Sequence, residues 1–148
     1  MSNKDTRWHV LQYAGRRYKN IPEMALDLAQ KMRGQNLMSF LKAHHVCRIL
    51  VGTEKMGGVA WLIAENACIS SLSYRLTLHP NRSISNWIED LGHEIGHLNA
   101  WDFDSIPLMK GEEHFAETFA LTWSGISENR IAARKIFCKL IKEKEVKL

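Results

Sequence analysis

The sequence predicts an α+β fold, and three observations carry that prediction. Met24, Leu28 and Met32 recur at helical spacing between Asn20-Ile21-Pro22-Glu23 and Gly34. Leu72, Tyr74, Leu76 and Leu78 alternate with Ser73, Arg75, Thr77 and His79, the period of a strand with one buried face. Helical spacing then returns with Trp87, Ile88, Leu91, Ile95 and Leu98. The chain of 148 residues suits one domain, and its hydrophobic fraction of 45% is enough for a real core. The expected architecture is a single domain over residues 1–148: N-terminal helices, a small and mostly antiparallel sheet, and a helix behind that sheet.

Asn20 is placed to cap the first helix, with Pro22 in its first turn and Gly34 beyond its end. Ala25 and Leu26 join its apolar face. A short helix over about 37–43 follows, and Val46–Val51 reads as a strand. Gly57-Gly58 marks a turn, Val59–Ala64 a second apolar strand, and Glu65-Asn66 another turn. Pro80 should end the alternating strand at an edge of the sheet, because proline cannot donate to a central ladder. Ser83 or Ser85 would cap the next helix, which runs to about Asn99. A polar loop with Asp102, Asp104, Ser105 and Pro107 leads to a helix over about 112–123, which Ser124-Gly125 breaks. A basic helix capped by Ser127 is expected over 128–148, with Ile131, Phe137, Cys138 and Ile141 near its apolar face.

The net charge is +4, and residues 1–127 contribute none of it, with 13 basic and 13 acidic side chains. Residues 128–148 hold seven basic and three acidic side chains. So local an excess does not describe a nucleic-acid-binding domain; it suits a solvated helix end whose dipole favours Lys139, Lys142 and Lys144. Direct binding of nucleic acid is not expected. Cys47, Cys68 and Cys138 are odd in number and widely spaced, which argues against disulfides or a cysteine metal site and for buried thiols. The start, Met1 to Val10, lacks the apolar core of a signal peptide, and no apolar run approaches a membrane span. These features predict a soluble, cytoplasmic protein.

The chemistry lies in His93-Glu94-Ile95-Gly96-His97. Two histidines four apart share a helix face and can reach one tetrahedral zinc ion. Glu94, beside the first, is placed to act as general base on a water molecule. Gly92 and Gly96 each cost a helix about 1 kcal/mol relative to Ala, so their presence points to a close neighbour. The longer pattern with a third histidine is excluded, since Ala100 and Phe103 stand where its Gly and His would be. A carboxylate on the next helix is the best third ligand, from Glu112, Glu113 or Glu117. Glu113 is favoured as ligand and Glu117, four residues on and on the same face, as the support that orients a ligand histidine. His114 reads as a surface residue, and His9, His44, His45 and His79 as structural or solvated. Asp102 and Asp104 would be ligands only in another class of zinc site. Tyr74, Arg75 and His114 are candidates for stabilising a transition state, with nothing to choose between them.

Together these segments resemble the ImmA/IrrE family of zincin-like metallopeptidases, which pairs H-E-x-G-H with a downstream E-x-x-A-N-x-F-A. The second motif corresponds to Glu113-x-x-Ala116-Glu117-x-Phe119-Ala120, with Glu117 at the usual Asn and Leu121-Thr122-Trp123-Ser124 in place of Leu-Leu-Met-Pro. The stretch after His97, Leu-Asn-Ala-Trp, is more polar than usual in the family. The likeness covers roughly residues 20–124. It implies a small zincin fold of the gluzincin type, a His/His/Glu zinc site, a cytoplasmic setting, and a protein substrate such as a transcriptional repressor.

Two readings follow. In the first, the chain is a zinc endopeptidase whose edge strand receives an extended peptide. In the second, it is a binding protein on the same scaffold that holds its partner without cutting it. A nucleic-acid-associated zincin that uses the basic tail is the weaker third.

Overall fold

The side chain of Asn20 accepts a hydrogen bond from the Glu23 amide at 2.9 Å, which fixes the start of the first helix, α1 (Ile21–Lys31). Met24, Ala25, Leu28 and Ala29 make its buried face, and Leu26 is 43% exposed rather than part of it. The computed structural model describes residues 11–13, 16–51, 59–64, 67–73, 80–100 and 110–148. Before α1 comes a hairpin, β1 (Leu11–Tyr13) paired antiparallel with β2 (Arg16–Tyr18). Asn36 caps α2 (Leu37–Ala43) through the Ser39 amide, in the span expected from the sequence.

The main sheet is antiparallel in the order β5-β4-β3-β6, formed by β3 (Arg48–Val51), β4 (Val59–Ala64), β5 (Ala67–Ser73) and β6 (Glu145–Lys147). The architecture among the described residues is therefore α+β. The expected strand over 72–79 overlaps β5 only at its first two residues, and residues 74–79 lie outside the described residues. So do both expected turns, at Gly57-Gly58 and Glu65-Asn66.

Three helices follow: α3 (Pro80–Ala100), α4 (Lys110–Trp123) and α5 (Ser127–Glu143). Helix α3 begins at Pro80, earlier than Ser83 or Ser85, because proline's fixed φ suits a first helical turn. Its predicted apolar face holds: Trp87, Ile88, Leu91, Ile95 and Leu98 are all buried. Helix α4 packs on both α1 and α3, and α3 also touches β5.

The C-terminal segment departs from expectation. It is not helical to the end: Lys144, in the left-handed region at φ 66°, turns the chain into β6, which pairs with β3 and buries Val146. Ser127 does not cap α5; the N-cap is Ile126, buried, with no side-chain cap. The buried face of α5 is Asn129, Ala133, Ile136, Phe137 and Leu140, so Ile131 is 56% exposed. Cys138 and Cys47 are exposed rather than buried, and Cys47 Sγ–H donates to the Ile63 carbonyl. Among the described residues no helix is long and apolar enough to cross a membrane.

The hairpin is tied to α1 by the Tyr18 hydroxyl, which donates to Asp27 Oδ2 at 2.5 Å. That bond, and then Lys31 nearby, hold the Asp27 carboxyl below its ordinary range, although burial opposes them. Burial and the same bond push Tyr18 up to about 12. A carboxyl with a depressed folded pKa stabilises above its unfolded value of about 3.9 and loses that contribution as pH falls through the folded value. Urea unfolding of Asp27→Asn should therefore show a weaker loss of stability than wild type as pH is lowered below about 4. Parallel pH profiles would contradict the assignment.

Candidate metal centre

The site is built where two helices approach more closely than most side chains permit. Helices α3 and α4 run antiparallel, with Gly92 against Ala120 and Gly96 against Ala116. A Cβ built on Gly96 would lie 2.8 Å from the Ala116 Cα, and one on Gly92 would lie 3.0 Å from the Trp123 ring and 3.3 Å from the Ala120 Cα. The close neighbour that the glycines imply is therefore α4, presenting small residues in register.

This contact decides which acids face the histidines. Glu112, Ala116 and Ala120 share one face of α4, four residues apart, and that face lies on the two glycines. Glu112 is thereby directed at α3, and its Oε2 accepts a hydrogen bond from His97 Nδ1–H at 2.7 Å. Glu113 is about a quarter-turn round, where Oε1 lies 2.9 Å from His93 Nε2 and Oε2 lies 3.1 Å from His97 Nε2. The two Nε2 atoms are 3.1 Å apart, with the rings set edge to face.

His93, His97 and Glu113 thus form a group of three ligand atoms within metal-binding reach. A tetrahedral ion with bonds of about 2.0–2.1 Å holds its ligand atoms about 3.3 Å apart, a few tenths of an ångström wider than the spacings here. The tautomer fits too: with Nδ1–H donating to Glu112, a neutral His97 presents the lone pair of Nε2 to the centre. His97 and Glu112 are largely buried, whereas Glu113 is half exposed. The residues present therefore fit a small divalent cation.

The carboxylate hydrogen-bonded to a histidine of this group is Glu112, where the sequence points to Glu117. Glu117 shares a face with Glu113, but it is exposed and one turn further along, where it lines a cavity of about 480 Å³ with Glu89, Asp90, His93, Ala120 and Leu121. The signal that could have found Glu112 was the small-residue spacing Glu112-x-x-x-Ala116-x-x-x-Ala120, which matches Gly92-x-x-x-Gly96. Glu94 is half-buried on α3 and is not one of the three converging ligands. His114 is exposed, His45 is exposed, and His44 Nδ1 donates to the Phe40 carbonyl at 3.0 Å. His9, Tyr74, Arg75, His79, Asp102 and Asp104 lie outside the described residues, and Cys68 lies in β5.

Comparison with protein families, with curated proteins and with solved structures finds no match.

The helix contact gives a direct test. A methyl at Gly96 meets backbone, which cannot move away as a side chain can. Overpacking of this kind costs about 1–3 kcal/mol, more than the roughly 1 kcal/mol that Ala adds in helix propensity. Gly96→Ala should lower stability in urea unfolding and weaken metal binding, whereas Gly92→Ala, whose nearest contact is the Trp123 side chain, should do less of both. Equal effects, or a stabilised Gly96→Ala, would contradict the packing argument.

Proposed function

We propose that this chain is a zinc-dependent peptidase that cleaves a specific intracellular protein, with His93, His97 and Glu113 as metal ligands. The observation that carries the reading is the convergence of both Nε2 atoms and the Glu113 carboxylate, together with the hydrogen bond that His97 donates to Glu112, which orients its ring. Zinc suits two imidazoles and one carboxylate on a tetrahedron, and a catalytic site leaves the fourth position to water or substrate.

When bound, the ion supplies Lewis acidity toward a peptide carbonyl and makes water a better acid at neutral pH. Glu94 is the general base in this reading: it takes the proton from the attacking water and passes it to the leaving amine. Glu112 keeps His97 in one tautomer and one orientation, a role whose loss typically lowers metal affinity about 10–100-fold. Among the described residues β5 is an edge strand of the sheet and touches α3, so an extended peptide could add to it beside the helix that carries the histidines. The cavity beside His93 offers room for a substrate side chain.

The motif resemblance to the ImmA/IrrE family supports the same reading, and with it a zincin-like fold of the gluzincin type, a cytoplasmic setting and a repressor as substrate.

Metal analysis and peptide profiling test the proposal together. Purified wild type should carry one zinc per chain and His97→Ala far less; equal zinc in both would sink the ligand assignment. Wild type incubated with a cytosolic extract should generate new peptide termini that Glu94→Gln does not. Zinc retained by both, with no new termini from either, would favour the binding protein that holds a partner without cutting it.

A further inference from the structure

We propose that the groove between α2, α5 and β6 is a docking site for an acidic, amphipathic helix of a protein partner. The groove shares no residue with the candidate metal centre. It has a volume of about 260 Å³ and an apolar floor from Leu37 and Met38 of α2, Ala132 and Ile136 of α5, and Val146 of β6. Lys135 and Lys139 stand on its rim.

The groove exists because the C-terminal segment leaves the helix at Lys144 and joins the sheet through β6. A helix continued to residue 148 would have carried Val146 elsewhere. Ligand pockets usually exceed about 300 Å³, so this one suits one or two anchoring side chains rather than a cofactor. Ile131, 56% exposed and one turn before Lys135, extends the apolar surface along α5.

Charge identifies the occupant. Residues 128–148 hold seven basic and three acidic side chains. Of those acids, Glu128 pairs with Arg33 and Glu145 with Arg48. Lys135 and Lys139 have no carboxylate partner among the described residues. Four residues apart on one helix, their stems stand about 6 Å apart, a spacing that matches two carboxylates one turn apart on a facing helix. A partner helix with Leu or Phe anchors flanked by Asp or Glu would fill the floor and pair both lysines. A nucleic acid would supply the negative charge and leave the apolar floor uncovered.

Selection of helix-forming random peptides on the full chain tests this. The enriched peptides should carry bulky apolar residues at helical spacing with Asp or Glu beside them. Fluorescence anisotropy with one such peptide should show binding that weakens with salt and falls about tenfold or more in Lys135→Glu/Lys139→Glu, two exposed positions where the fold tolerates the change. Ala132→Trp, which fills the groove, should also abolish binding while the melting temperature is kept. Glu113→Gln should leave the affinity unchanged, so failure of the metal reading would not disturb this result. The proposal is overturned if no apolar–acidic pattern is enriched, if the charge-reversed variant binds equally well, if Glu113→Gln abolishes binding, or if duplex DNA displaces the peptide in a lysine-dependent way.

Discussion

The close approach of α3 and α4 is the constraint on which the rest of the site depends. Gly96 and Ala116 bring two helix backbones within a distance that no side chain larger than hydrogen on α3 would allow. That approach sets the phase of α4 against α3. Once Ala116 lies on Gly96, Glu112 one turn earlier is aimed at His97, and Glu113 overhangs the gap between the two histidines. A rotation of α4 by one residue, about 100°, would put a different side chain at each of these two positions and break the arrangement. The chemistry of the centre is therefore a property of the helix pair more than of any single side chain.

The remaining elements hold that pair in place. Helix α4 also packs against α1, and Phe115, Phe119 and Trp123 anchor it in the core. Helix α3 is fixed by Trp87, Ile88 and Leu91 within the core and by contact with β5. Acidic residues in the first turn of α4 also sit where the helix dipole favours negative charge, so Glu112 and Glu113 are tolerated beside one another. The two imidazole nitrogens and the carboxylate oxygens are all lone-pair donors held about 3 Å apart, a crowding that a bound cation would offset.

Much of this arrangement was legible in the residues, for identifiable reasons. The apolar face of α3 and the span of α2 follow from periodicity and capping, which are local. Gly92 and Gly96 announced a close neighbour, and His93 and His97 a shared face. The acid that orients His97 was not legible from spacing within α4 alone, because Glu117 lies one turn from Glu113 while Glu112 lies beside it in sequence. Only the tertiary phase of α4 separates them. The C-terminal strand escaped for a different reason. Glu145-Val146-Lys147 is too short to show a period, and Lys and Glu favour helix, yet pairing with β3 and burial of Val146 prevail. Ser127 lost the cap to Ile126 because burial of an isoleucine sets the chain's course between α4 and α5.

The most direct test of the central claim is X-ray absorption at the zinc edge of the metal-loaded protein. The account expects two imidazole nitrogens and carboxylate oxygen at about 2.0–2.2 Å, completed by a light atom from solvent. The same spectrum from Glu113→Gln should show a changed oxygen shell with both imidazoles kept. A thiolate in the shell, or a spectrum without paired imidazoles, would contradict the account.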